Sequence, residues 1–380
     1  MDKTIDVVTP IKKPRSSNLE LFRIFSMFLI VLHHYIVNSN VIINALATPT
    51  QLNSILALSF GAWGKMGINC FVLITGYFMC KTNITLKKFM KLIFEIEFYR
   101  ILLYVIFLAT GYEAFSIVRI IKVLLPVTSV RDNFTGCFLL FYLCIPFLNY
   151  LTKTLNEKNH IRLLLLCLFI YTILGSVPKI DVSMNYVSWF IVLYVIASYV
   201  RLYPKKLFDS TKLWGILSLV FFVSSIGTVI VGALIAPRVG QVLSFYFLSD
   251  SNKVLAVALS VSLFMFFKNL KIKNSKLINN VAMTTFGIFL IHANSDAMRN
   301  WLWRDTLKNA EYFASKYFVL HALASVVVIF IICSLIDFIR IVFVEKYYMK
   351  LWDKIEPKIV NKFKKIEEKI CKKFNIGERK

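Results

Sequence analysis

The chain has 380 residues, 58% of them hydrophobic and only 17% charged, with a mean hydropathy of +0.67. A soluble domain of this size would be nearer half apolar and about a quarter charged, so the composition excludes a soluble globular enzyme and indicates an all-α integral membrane protein. The formal net charge of +24 would suit a nucleic-acid binder, but the lysines and arginines stand in short clusters between apolar runs, a pattern of topology rather than of a phosphate-tracking groove. No nucleic-acid partner is expected.

In chain order, residues 1–18 read as a basic cytoplasmic lead with Lys12, Lys13 and Arg15, and no small-residue cleavage site follows closely, so the first apolar run is expected to stay as an uncleaved span. Apolar runs of bilayer-crossing length, about 17 to 25 residues, fall near 19–37, 55–79, 89–110, 134–151, 161–177, 186–203, 213–236, 254–268, 281–299 and 317–343. The expectation is about ten transmembrane helices within a membrane domain of residues 19–344.

Counted in alternate segments, 32 Lys and Arg fall on one side and 10 on the other, with Arg23, Lys65 and Arg100 inside spans. Positive residues favour the cytoplasmic side, which assigns both termini to the cytoplasm of a multi-pass cell-membrane protein. From 345 to 380, apolar residues at steps of three and four among lysines predict a basic amphipathic helix, lying on the anionic inner leaflet or packing in a coiled coil. Seven cysteines lie mostly within apolar runs without paired close spacings, so neither a disulfide framework nor a zinc site is indicated, and no metal is expected.

The first run, NLELFRIFSMFLIVLHHYIV (18–37), carries Glu20, Arg23, His33 and His34. An ionisable group in hydrocarbon costs roughly 2.5 to 3.5 kcal/mol on insertion scales and persists where it is paired or useful. Arg23 and His34 are eleven residues apart, which brings them back to within about 20° of one face at an axial separation of roughly 16 Å. Glu20 shares the cytoplasmic end of that stripe, whereas His33 is turned about 100° away. Either Arg23 snorkels while paired to Glu20 and the histidines sit among outer headgroups, or the stripe carries chemistry.

Arg, ten residues, then His, in a first span opened by NLELFR, resembles the signature of the membrane acyltransferase-3 family, multi-pass proteins that O-acylate cell-surface carbohydrates. The likeness continues in GKMGINCFVLITGYF (64–78), where Thr75 stands for the usual Ser, in FYLCIPFLN (141–149) and in TFGIFLIHAN (285–294). It extends over roughly residues 18–345. One departure is the opening of the fourth span, FTGCFLLFY, in place of a Trp-Phe pair, which weakens the case for an acceptor-shaping aromatic there.

The resemblance implies transfer of an acyl group, usually acetyl from acetyl-CoA or another acyl-CoA, to a sugar hydroxyl outside the cytoplasm of a bacterial plasma membrane. The acceptor would be an envelope or exported polysaccharide, with polysaccharide-assembly proteins as possible partners besides the lipid bilayer. On that reading Arg23 holds a donor phosphate or orients the donor, and His34 is the general base toward the acceptor hydroxyl or relays the acyl group. An imidazole titrating near pH 6.5 accepts such a proton at neutral pH.

Weaker candidates follow. His292, in the outer half of the ninth span, either faces His34 across a cavity to orient the acceptor or bonds a neighbouring helix. Lys65 has no carboxylate at helical spacing and is read as contacting donor or acceptor, with the unpaired Glu95 as a possible partner. Thr75, Gly76 and Tyr77 are read as donor-binding, with helix packing an equal account. Glu97 with Arg100, Asp296 with Arg299 and Asp337 with Arg340 are each three apart and expected to neutralise one another. His321 reads as interfacial and His160 as a loop residue. The alternative functions are a translocase or export partner for a lipid-linked glycan, or a scaffold acting through its basic tail.

Overall fold

The computed structural model describes residues 15–128, 133–239, 244 and 246–374; Lys12, Lys13 and Arg131 lie outside them. The described residues form helices and connecting segments, with no strand among them. In hydrocarbon every backbone donor and acceptor needs an internal partner, and a helix supplies it within one segment.

The principal helices are α1 (Ser17–Val37), α2 (Leu52–Met79), α3 (Leu86–Ala109), α4 (Phe134–Thr154), α5 (Glu157–Cys167), α6 (Tyr186–Leu202), α7 (Thr211–Val239), α8 (Val254–Asn269), α9 (Lys276–Met283), α10 (Thr285–Ala293), α11 (Phe318–Ile339) and α12 (Glu345–Lys373). Several starts are fixed by side-chain caps that satisfy otherwise unpaired amides. Asn133 accepts from Gly136 N at 2.8 Å, Asn156 from Asn159 N at 2.9 Å and Asn185 from Ser188 N at 2.9 Å.

Among the described residues five helices are long and apolar enough to cross a membrane by themselves: α1, α2, α4, the first 26 residues of α7, and the continuous run that begins with α11. Elsewhere the expected spans are shorter, charged or interrupted. The run expected over 281–299 is three pieces, α9, α10 and a short helix Asp296–Asn300. The first break is at Thr284, whose hydroxyl turns back to the Val281 carbonyl and to Ser334, and the second is at Ser295, which caps a new helix through Met298 N.

Hydrogen bonds at the helix ends sort the segments into two groups, as alternating up-and-down helices require. At one end Asn18 donates to the carbonyls of Phe267 and Lys268, Lys268 pairs with Asp209, Asn149 donates to the carbonyls of Met79 and Thr82, and Lys87 meets Asp353. At the other, Asn309 donates to the Tyr35 carbonyl and Asn252 to that of Tyr171. The first group contains the lysine-rich segments of the alternate tally.

α1 and α2 lie in close contact through Gly61, Gly64 and Gly67. A Cβ at these positions would meet Ile36, His33 and Ile30 in turn. Small residues at a spacing of three let two helix backbones approach in a membrane, and here they make room for an imidazole. In the interior, the Trp189 indole donates to Asn69, which in turn donates to the Ser251 carbonyl, joining α6, α2 and the segment before α8.

Candidate active site

A cavity of about 350 Å³ lies among α1, α2, α4, α6 and α10, within the size range of small-ligand pockets. The α1 stripe Met27, Ile30 and His34 forms one wall, with His33 beside it; Phe71, Phe286 and Phe289 form the apolar part, and Asn133, Tyr186 and Asn294 add polar groups.

Two histidines from distant parts of the chain meet at this cavity. His34 Nδ1 lies 2.9 Å from His292 Nε2, and His292 Nδ1 lies 2.6 Å from the Ile288 carbonyl oxygen. A carbonyl only accepts, so His292 carries its proton on Nδ1 and offers a bare Nε2. That nitrogen takes the proton of His34 Nδ1–H. The network therefore assigns the tautomer in which His34 Nε2 holds a lone pair, the form a general base needs. His292 is fully buried and packs edge-on against Trp303, ring centroids 6.2 Å apart, which holds the orienting ring still.

His33, which the helical projection turned away from the stripe, also lines the cavity. Its Nδ1 donates to the Gly61 carbonyl, and its ring fills the space over Gly64. The signal in the sequence was the Gly61-x-x-Gly64-x-x-Gly67 spacing opposite the His-His pair. A Cβ at residue 64 would overlap the ring itself, not a flexible tip. Gly64→Ala is expected to displace His33 and reshape the cavity wall, lowering turnover by at least about tenfold, as small misplacements at a site do; an initial-rate assay on matched amounts of folded protein checks it.

The other sequence candidates divide. Lys65 lines the cavity, donating to Tyr186 Oη at 2.8 Å and pairing with Asp250 at 3.5 Å. Its partner is therefore not Glu95, which lies near the lysine-rich end and pairs with Arg340 at 3.0 Å. Arg23 stands outside the cavity lining, paired to Glu20 at 3.7 Å, with its guanidinium 5.7 Å from the centre of the Phe71 ring. Arg23 thus meets Phe71, which lines the cavity, without lining it itself.

Thr75, Gly76 and Tyr77 also lie away from the cavity. The Thr75 hydroxyl bonds its own helix at Phe71, a Cβ at Gly76 would come within 3.1 Å of Ala197 and of the Tyr194 backbone, and Arg201 donates to Tyr77 Oη at 2.8 Å. Their surroundings are those of α2–α6 packing. Phe134, at the opening of the fourth span where the usual Trp-Phe pair is missing, lines the cavity. His160 is buried in α5 against the Val195 carbonyl rather than in a loop, and His321 bonds Tyr35 Oη at 2.7 Å.

The cavity's rim is cationic. Arg100, Arg119, Lys122 and Arg299 line it together with Glu113 and Asp296. Arg119 pairs with Glu113, Arg299 with Asp296 and Arg100 with Glu97, while Lys122 has no carboxylate partner among the described residues. Such a rim suits polar, hydroxyl-rich or anionic ligands rather than an apolar one. Among the described residues no three His, Cys, Asp or Glu side chains converge as metal ligands would.

A family model described as an acyltransferase domain matches residues 16–338. The chain belongs to the membrane acyltransferase-3 family. No curated protein and no solved structure matches it. The matched residues of this acyltransferase contain α1 to α10 and nearly all of α11, and with them both histidines of the pair.

Proposed function

We propose that this membrane acyltransferase moves an acetyl group from acetyl-CoA to a hydroxyl of an envelope or exported polysaccharide in a bacterial plasma membrane. The observation that carries the reading is the chain from His34 through His292 to the Ile288 carbonyl, at a cavity with a polar, cationic rim. Membership of an acyltransferase family gives this histidine pair a reaction to serve.

In the proposed step the acceptor hydroxyl gives its proton to His34 Nε2 as its oxygen attacks the thioester carbonyl. The C–S bond then breaks, the new ester stays on the glycan, and the imidazolium returns the proton to the departing thiolate. His292 holds the His34 tautomer and supports the transient cation, as an orienting partner does for a catalytic histidine. Lys65 and Tyr186, which line the same cavity, would position the acceptor. Arg23, beside Phe71 and toward the opposite end of α1, would meet the phosphates of the donor, roughly 16 Å along the axis from His34, a span that a long pantetheine arm covers.

The test is hydroxyl-linked acetate on surface glycans from cells with and without the chain. Ester acetate present only with the chain supports the reading. Equal acetate in both removes it, and export of a lipid-linked glycan becomes the assay to run.

A further inference from the structure

The family match ends at residue 338, and α12 lies beyond it. Its first turns dock on α3: Lys91 pairs with Glu345, Lys87 with Asp353 at 2.6 Å, and Phe94 packs against Tyr348 and Trp352. Lys87 is the second residue of α3, so α12 reaches the lysine-rich end of the helical body at residue 353 and then continues for about twenty residues without a described partner element.

That free stretch is amphipathic. Ile355, Ile359, Phe363, Ile366 and Ile370 recur at an average step of about 3.8 residues and spread over an arc of roughly 80°. Phe363 and Ile370 are 65% and 46% exposed, so the face is uncovered. Lys358, Lys362, Lys365 and Lys369 run along one edge of it, and residues 354–373 carry eight lysines against three glutamates.

Two features decide what covers the face. A two-stranded coiled coil needs a seam at a step of about 3.5 residues; the step of this face is too long. Pro357, four residues past the last α3 contact, removes one backbone hydrogen bond and marks where the helix can bend onto a surface. A short helix interrupted by proline is also marginal unless its apolar side is covered.

We infer that residues 354–373 form a docking surface for anionic lipid headgroups at the lysine-rich face of the membrane, with the apolar stripe at the acyl boundary and the lysines on headgroup phosphates.

The test is hydrogen–deuterium exchange of the full chain in nanodiscs of phosphatidylcholine alone or mixed with phosphatidylglycerol. Amides of 354–373 should exchange at least about tenfold more slowly in the anionic discs, and both high salt and a variant with Lys358, Lys362, Lys365 and Lys369 changed to Gln should abolish the difference. Because the variant changes only exposed positions, unaltered exchange in α1 and α2 shows that it is folded. Equal exchange in both lipids overturns the inference. So does protection that appears in neutral detergent and grows with protein concentration, which would give the face to a second copy of the chain.

Discussion

Replacing His34 by Ala should lower acyl transfer by about 10² to 10⁴-fold, the span ascribed to a positioned general base, while the protein still inserts and accumulates. His34 faces open space on its cavity side and lies 2.9 Å from a single side-chain partner, so its loss costs packing far less than it costs proton transfer. His292→Ala should fall by a smaller factor, about 10 to 100, because His34 keeps its lone pair but loses the acceptor that fixes its tautomer. The double variant should be little worse than His34→Ala alone, since the two act as one unit. Labelled acetyl transfer by purified protein, with amounts matched by absorbance, gives all three values. A His34→Ala protein with unimpaired turnover would end the assignment of the base.

The second large effect concerns stability at the opposite end. Arg340 is 2% exposed and its guanidinium serves three carboxylates: Asp337 at 2.7 Å, Glu95 at 3.0 Å and Glu345 at 3.2 Å, with Tyr348 Oη at 2.7 Å. Tyr99 donates to Asp337 at 2.8 Å, and α10 passes so close that a Cβ on Gly287 would overlap the Asp337 carboxylate. Three elements, α3, α11 and α12, therefore converge on one cation, with α10 packed against its Asp337 partner. Arg340→Met removes it and leaves three acids with Lys91 as the remaining paired cation. Breaking a buried pair in this way costs about 3 to 5 kcal/mol, a large fraction of a domain's stability. The expected result is a sharp loss of monodisperse protein in thermal-shift chromatography. Arg340→Lys should recover part of it, because one ammonium cannot reproduce a fork that reaches three acceptors. A melting profile unchanged in Arg340→Met would show that the cluster is not what joins these helices.

Much of the architecture is written locally. Apolar runs of spanning length, caps such as Asn133, Asn156 and Asn185, and the alternation of lysine clusters are properties of a few consecutive residues, and each meets a helix or helix end where it stands. The i, i+3 pairs Glu97–Arg100, Asp296–Arg299 and Asp337–Arg340 form for the same reason: helical geometry alone brings them together. His34 and His292 were legible as ionisable groups in apolar surroundings.

What the sequence by itself determined, then, is the helical membrane class, the family motifs and the chemical types available along α1. Only the tertiary structure decided which of these types meet. His34 and His292 are separated by 258 positions, and no local period links them; their contact depends on how α1 packs against α10. The same packing put His33 on the cavity, because the glycines of α2 leave room that a helical projection of α1 alone does not reveal. It also sent Lys65 and Glu95 to opposite ends, each to a different partner, and put Thr75, Gly76 and Tyr77 against α6. Residue type and spacing are set within a helix, whereas a site is made between helices, where side chains from distant segments share one space.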